Sequence, residues 1–394
     1  MPMRPCWAEI RTRALEDNFR LLESLAAPHA ELLAIVKADA YGHSLDLCAP
    51  AAVRAGAKWL GVTSVEEGVA ARALCPEARI LVICGVFPGQ GAALIRHNLT
   101  AVAWELWQLE ELEIAALAEG LAPGTLPIHL EIDTGMSRQG ASPRALDPVL
   151  ARFTPGSPLR LEAIMTHLFA ADEADGRVTG EQLATLDEAL GAISAAGHFA
   201  EWLNVGNSAA LLAGQAAAVS ELAARHGMRA MLRPGLALYG LAPEFNPAFR
   251  EEPATLAAAR ANLKPVMTWK TRVVGVREVP AGTVVGYNAT FVATEPMRLA
   301  LIAAGYADGL DRHLGNRFHL LVRGERAPLV GRVSMDQSVI DVTEIPEARA
   351  GDEVVLIGAQ QGDRISATDH AKVAGTIPYD IFTGIGSRVP RIAV

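Results

Sequence analysis

The sequence is short of lysine: Lys37, Lys58, Lys264, Lys270 and Lys372 are the only five, against thirty arginines. Cysteine is also scarce. Cys6, Cys48, Cys75 and Cys84 form no CxxC pair and have no histidine at zinc spacing. That excludes a disulfide framework and a zinc site, and leaves four ordinary apolar residues of a reducing compartment. Long apolar runs are missing, since none reaches the roughly 18 residues a membrane span needs. The opening MPMRPCWAEIRTRALEDN carries charges every few residues and no apolar export segment, so a cytoplasmic protein with no membrane partner is expected. The net charge is −9 and no basic run could track a phosphate backbone, which argues against nucleic acid.

What the chain does have is a recurring short apolar run. After a helix-like segment at 12–27 come LLAIVK (32–37), WLGVTS (59–64), RILVICG (79–85), LTAVAW (99–104), PIHLEIDTG (127–135), LEAIMTHL (161–168), WLNVGNS (202–208) and MLRPGLALYG (231–240). Most are separated by stretches of helical spacing such as EEGVAARAL and EQLATLDEALGAISAAG. Continuous apolar strands alternating with helices argue for a parallel sheet covered by helices. Eight such units fit a (β/α)8 TIM-type barrel over 1–242, a doubly wound sheet being the other arrangement with this alternation. Residues 243–264, with four prolines up to Pro265 and clustered charges, read as a junction. From 265 to 394 the texture turns to valine-rich alternation with Gly and Pro turns, as in TWKTRVVGVREVPAGTVVGYNATFVA, which describes a mainly β C-terminal domain.

In such a barrel the chemistry sits at the carboxyl ends of the strands. There the sequence places Lys37, then Asp133 and Arg138, His167, Asn207 and Ser208, and Arg233 ahead of Pro234 and Gly235. Singly each has an ordinary reading: a solvated lysine, a core histidine, ion-paired arginines. Their convergence on one face favours function. A desolvated lysine amine can be deprotonated near neutral pH and condense with an aldehyde cofactor, for which pyridoxal phosphate is the natural choice. Its phosphate would find backbone N–H groups and a hydroxyl around Ser208 and RPGLALYG. All five tyrosines (Tyr41, Tyr239, Tyr287, Tyr306, Tyr379) sit beside a small residue or proline, where a phenol can donate to phosphate or act as acid or base. For Tyr239 a partly buried surface position is expected.

Taken together, AIVKADAYGH, EIDTGMSRQG, the TH of IMTHL, NSA at 207–209, RPGLALYG, LKPVMTWKTRV, GYNATF, GYADG, APLVGRVSMDQ, GTIPYD and the closing RVPR resemble the alanine racemase family over most of the chain. The resemblance implies a pyridoxal phosphate enzyme that interconverts L- and D-alanine, supplying D-alanine for the cell wall. Lys37 would be the Schiff-base lysine and the base on one face of the substrate. Tyr287, from the other subunit of a head-to-tail homodimer, would be the opposing acid or base, with Met335 also reaching across. Tyr41, Asn207, Ser208, Gly235, Leu236 and Tyr379 would bind the cofactor, mostly through its phosphate. Arg233 would meet the pyridine nitrogen, and His167 would hydrogen-bond the catalytic tyrosine. Arg138, Tyr306 and Arg312 would meet the substrate or line its entry. An arginine at the ring nitrogen keeps the ring unprotonated, which favours reprotonation at Cα over transamination.

The chain departs from the family at three places. Glu131 replaces an often carbamylated lysine that steadies the arginine matching Arg138, and its shorter side chain leaves a gap that water or an anion would fill. Ser334 stands where cysteine is frequent, and GYADGLDRH changes the entry at Leu310 and Asp311. The alternative readings are a racemase of serine or several amino acids, a barrel-type decarboxylase, and a non-catalytic pyridoxal phosphate carrier. The decarboxylases resemble this architecture but use an acidic residue at the pyridine nitrogen where this sequence offers Arg233, and the carriers resemble only the first domain.

Overall fold

The computed structural model describes residues 4–173, 175–245 and 253–394. The chain divides into two compact units, one holding residues 13–40 and the described part of 48–264, the other residues 4–12, 41–47 and 265–394.

The strands, in chain order, begin with β1 (Cys6–Ile10) and then β2 (Ala30–Ile35), β3 (Trp59–Val62), β4 (Arg79–Val82), β5 (Thr100–Ala103), β6 (Leu126–Glu131), β7 (Leu159–Met165), β8 (Trp202–Asn204) and β9 (Arg229–Leu232). Strands β2 to β9 close into a parallel barrel in sequence order, β9 pairing back onto β2. All eight apolar runs become barrel strands. They can be apolar throughout because helices such as Val65–Leu74 and Arg177–Ala195 cover the outside while side chains fill the inside. The filling is tight: a Cβ on Gly61 would lie 2.5 Å from Ile35 Cδ1 and 2.6 Å from Leu33 Cδ2. Toward the amino ends, Trp59 packs edge-on to Trp202 and against His129, and the Arg79 guanidinium lies 3.8 Å over the Trp59 ring.

Tyr239 departs from its expected surface position. It is fully buried and donates to Ile35 O (3.0 Å), in the turn after β9. The part of the expected junction at 246–252 lies outside the described residues. The rest of it includes a helix, Ala254–Asn262, whose Ala259 is buried and whose Arg260 donates to Leu212 O.

The second unit is a β unit, as its valine-rich pattern implies. Its strands are β10 (Met267–Val279), β11 (Val284–Val285), β12 (Phe291–Val292), β13 (Met297–Ile302), β14 (His319–Val322), β15 (Glu325–Pro328), β16 (Ser338–Asp341), β17 (Glu353–Gln360), β18 (Asp363–Ile365) and β19 (Arg391–Ala393). The long β10 is the hub. A bulge between Val273 and Gly275 bends it, so that its first half pairs with β17 and its second half with β13. Strand β1, counted with the barrel from its position in the sequence, pairs instead with β10 and β19. Its inward residues are wholly buried there, and its backbone groups find partners that a closed barrel has no edge to offer.

Candidate active site

Strand β2 ends at Ile35, two residues before the lysine expected to close it, and Val36 N still reaches Gly61 O (2.9 Å). Lys37 therefore stands just beyond the barrel rim, where the backbone turns sharply. Ala38, Asp39, Ala40 and Tyr41 all have positive φ (52°, 52°, 55° and 54°), followed by Gly42 at 74°. A left-handed turn of non-glycine residues costs roughly 1–2 kcal/mol per residue, so something must hold it. Glu67 does part of this: its carboxylate accepts from Ala38 N (2.8 Å) and Thr63 N (2.7 Å). Sequence reasoning missed Glu67, although Ser64-x-x-Glu67 is a readable helix start and Ser64 does cap that helix.

Among the described residues the Lys37 amine makes no hydrogen bond and no ion pair. Burial lowers its pKa. Cys84 and Glu67 oppose the shift, while Arg138 and Arg233 reinforce it. The Cys84 effect counts for little at neutral pH, because burial raises the pKa of that thiol and keeps it uncharged.

Arg233, just past β9, is buried in the barrel mouth. Its Nη1 donates to Asn204 O (2.6 Å) and Oδ1 (2.7 Å), its Nη2 to Thr166 O (2.9 Å), and His167 Nδ1 lies 3.4 Å from Nη2. Burial brings its pKa down to about 10, with Glu131 opposing, so the guanidinium stays charged at neutral pH. Behind it a polar chain runs into the barrel. Asn204 Nδ2 is 3.2 Å from His129 Nδ1, His129 Nε2 is 3.4 Å from Glu162, and Glu162 also accepts from Arg79 and Arg160. Nothing in the local pattern of β4, β6, β7 or β8 marks these residues, since they are scattered polar positions within otherwise apolar strands.

Ser208 Oγ accepts from Gly235 N (2.9 Å) and Ala237 N (3.2 Å), which leaves its own proton to donate. Gly235 precedes the short turn Leu236–Tyr239, whose first N–H groups have no acceptor within the turn. A phosphate suits this cluster of donors. Asn207 is occupied differently: it caps the helix Ser208–Leu212 through Ala210 N and donates to Leu168 O.

Glu131 is buried at the end of β6, and burial raises its pKa. It accepts from Gln139 Nε2 (2.5 Å) and forms no ion pair with Arg138. Arg138 is exposed and has no ion pair among the described residues. It follows a tight loop in which Asp133 accepts from Gly135 N and Ser137 N.

The β unit gathers the remaining candidates. The Tyr41 and Tyr379 rings lie 5.7 Å apart, and Gly42 is needed beside them, because a Cβ there would meet Phe382 O at 2.3 Å. Tyr306 N donates to Ser334 O and Ala307 N to Met335 O, both at 3.0 Å. Tyr287 lies between β11 and β12 in a turn with Asn288 and Ala289 at positive φ, and is 65% exposed.

A closed parallel barrel with a half-buried lysine amine just beyond its rim, on the same face as a cluster of phosphate donors and a charged arginine, defines a carbonyl-condensing enzyme of the pyridoxal phosphate type. Comparison with known proteins narrows this. Residues 10–243 match the family model described as alanine racemase, N-terminal domain, and residues 266–393 the one described as alanine racemase, C-terminal domain. An alanine racemase of Halothermothrix orenii is 38% identical over 98% of this chain and 96% of its own length. A catabolic alanine racemase of Pseudomonas putida is 39% identical over 99% of each. Among solved structures, the alanine racemase of Streptomyces lavendulae superposes with a TM-score of 0.88 at 33% identity, covering 100% of this chain and 98% of that one. The enzyme of Bartonella henselae, solved with covalently bound pyridoxal phosphate, gives 0.83 at 27% identity over 99% of each. The chain belongs to the alanine racemase family, pyridoxal phosphate isomerases that interconvert L- and D-alanine. No helix among the described residues is long and apolar enough to cross a membrane.

Proposed function

We propose that this chain racemises alanine by a two-base mechanism, with Lys37 on one face of the substrate and Tyr287 of a second copy on the other. The observation that carries it is the half-buried Lys37 amine, which has no hydrogen bond or ion pair among the described residues and whose pKa is lowered by burial. Pyridoxal phosphate, when bound, supplies an aldehyde for the amine and an electron sink for the charge left at Cα. Ser208, Gly235 and Leu236 would hold its phosphate, with Tyr41 and Tyr379 as further members of the cradle and Asn207 fixing the helix that carries Ser208. Arg233 would donate to the ring nitrogen. Because its pKa stays near 10, Arg233 would keep its own proton, leave the ring nitrogen unprotonated and make the bound group a weak electron sink.

Lys37, neutral, would take the Cα proton from one face, and the phenol of Tyr287 would return one to the other. His167 would support the phenolate from its Nε2–H. Arg138 would meet the substrate carboxylate, and Met335 and Tyr306 would shape the space around its side chain. Two features favour a homodimer with shared sites: Tyr287 and Met335 are 65% and 53% exposed in the single chain, and Val284 and Val292 beside Tyr287 are exposed as well. A cytoplasmic enzyme supplying D-alanine for peptidoglycan is the role we infer. The match of residues 266–393 to the family's second domain weighs against a cofactor carrier built on the barrel alone.

The test is incubation of the purified protein with L-alanine and, separately, D-alanine in D2O. Optical rotation should decay to zero from both sides with deuterium appearing at Cα. Retention of both rotation and proton would refute alanine as substrate.

A further inference from the structure

Within the β unit, two segments of different origin are fastened by one buried carboxylate. Asp308, in the GYADG turn, is wholly buried. It accepts two bonds from Arg4, the one to Oδ2 at 2.8 Å, one from Arg388 Nε (2.7 Å), and one from Gly305 N (2.9 Å). The two arginines also reach the SMDQ segment: Arg4 Nη2 donates to Asp336 O (2.7 Å), and Arg388 Nη2 to Asp336 Oδ1 (2.6 Å). Two acids and two guanidinium groups thus form a closed quartet drawn from near residue 4, the two turns and the closing RVPR. Its acids, Asp308 and Asp336, follow Tyr306 and Met335 by two residues and one residue. The turns themselves touch through Tyr306 N to Ser334 O and Ala307 N to Met335 O. Gly305 lets them approach so closely that a Cβ there would lie 2.4 Å from both Ser334 O and Met335 O.

The backbones that carry Tyr306 and Met335, both about half exposed, are therefore tied to each other, and each residue is one or two positions from a group in the quartet. We propose that Asp308, clamped between Arg4 and Arg388, is a positioning residue that fixes Tyr306 and Met335 relative to each other and so sets how the racemase admits and holds its substrate. This rests on the reading that Tyr306 and Met335 face the substrate. Neither Asp308 nor the arginines need touch substrate or cofactor. Hydrogen bonds to a buried carboxylate are among the stronger ones, and removing the charge leaves two guanidinium groups facing a neutral amide. Loosening the clamp should weaken substrate holding while leaving the proton-transfer groups in place.

The experiment is steady-state kinetics of the cofactor-loaded enzyme for Asp308→Asn and Arg388→Lys, with alanine and with serine, alongside the melting temperature and the cofactor's visible absorbance. Arg388→Lys keeps the charge but cannot bridge Asp308 and Asp336 at once, and so serves if Asp308→Asn folds poorly. We expect KM for alanine to rise about tenfold with kcat nearly unchanged and the preference for alanine over serine to fall. A lowered melting temperature with KM and the alanine-to-serine ratio unmoved would show a purely structural clamp and overturn the proposal. Met335→Ala and Tyr306→Phe separate the two levels. If they alter KM or the ratio while the quartet variants do not, positioning is wrong and the placement stands. If they alter neither, the placement of these two residues fails and the proposal with it.

Discussion

Arg233 Nη2 faces His167 Nδ1 across 3.4 Å, and that contact decides where the imidazole proton resides. A guanidinium can only donate, so Nδ1 accepts and the proton is on Nε2. Burial, with the charges of Arg233, Arg138 and Lys37, takes the His167 pKa down to about 3. The ring is a fixed neutral donor throughout the working pH range, not a titrating acid.

A pH dependence of stability follows. His370 is fully buried, with Nε2 against Leu356 O at 2.8 Å, and burial lowers its pKa to about 4. In the unfolded chain both histidines bind a proton near pH 6.5, while in the fold they stay neutral. The unfolded state then holds more protons, and stability falls as pH drops from about 6.5 toward 4, by roughly 3 kcal/mol for His370 once fully expressed. Urea unfolding at pH 7.5, 6 and 5 should show this decline, and His370→Gln should flatten it; a constant midpoint would contradict the assignment.

Lys37→Ala is expected to lose the visible absorbance of the lysine-bound cofactor and at least about 10³-fold in kcat, whereas Tyr287→Phe should keep the absorbance and lose roughly 10²–10⁴-fold. Mixing the two inactive variants tests the shared site. In a mixed dimer one site carries both defects and the other neither, so activity should return on subunit exchange. Its continued absence, with exchange verified, would place both groups within one chain.

Glu131 should make this enzyme's activity independent of carbon dioxide. Its carboxylate is already present and already bonded to Gln139, and no lysine is available there to carbamylate. Activity measured in bicarbonate-depleted buffer should equal that in supplemented buffer. A rise on adding bicarbonate would show that Arg138 needs an anion which Glu131 does not provide.

Ala38→Gly should stabilise the protein. At φ 52° the methyl group is strained, and relief of roughly 1–2 kcal/mol outweighs the added freedom of a glycine in the unfolded chain, leaving about 0.5–1 kcal/mol net. Glu67→Gln acts oppositely, weakening the two backbone bonds that hold the turn, at a cost of about 1–2 kcal/mol. Chemical denaturation of both variants checks the pair of signs.

The barrel was legible because a strand buried on both faces cannot hide its composition: each of the eight apolar runs stands out between polar helices. The end of β2 was less legible, since Val36 and Lys37 extend the run in composition while the backbone has already left the sheet. The left-handed turn was invisible, because Ala-Asp-Ala-Tyr has no glycine to announce positive φ until Gly42, and Glu67, which holds its first residue, lies 29 residues further along the chain. Tyr239 was misplaced for a similar reason: small neighbours suggested exposure, whereas they make room for a buried ring whose hydroxyl meets Ile35 O. The place of β1 left no local signal either, because its partners are more than two hundred residues away. Of the candidate site residues, Lys37, His167, Ser208 and Arg233 could be proposed from their strand-end position alone. Tyr287 could not, being on an exposed turn of the other unit and known only through the family resemblance.

That placement of β1 also bears on how the molecule is made. The strand belongs to a sheet whose other members, β10 and β19, are encoded only after the entire barrel. On the ribosome the barrel is complete and able to close while β1, synthesised before any of it, still waits for partners. Domains fold as they emerge, so here the intervening unit must fold with an unpaired apolar strand tethered to its first helix. Strand β19, Arg391–Ala393, made later than β10, is the one that finishes covering it.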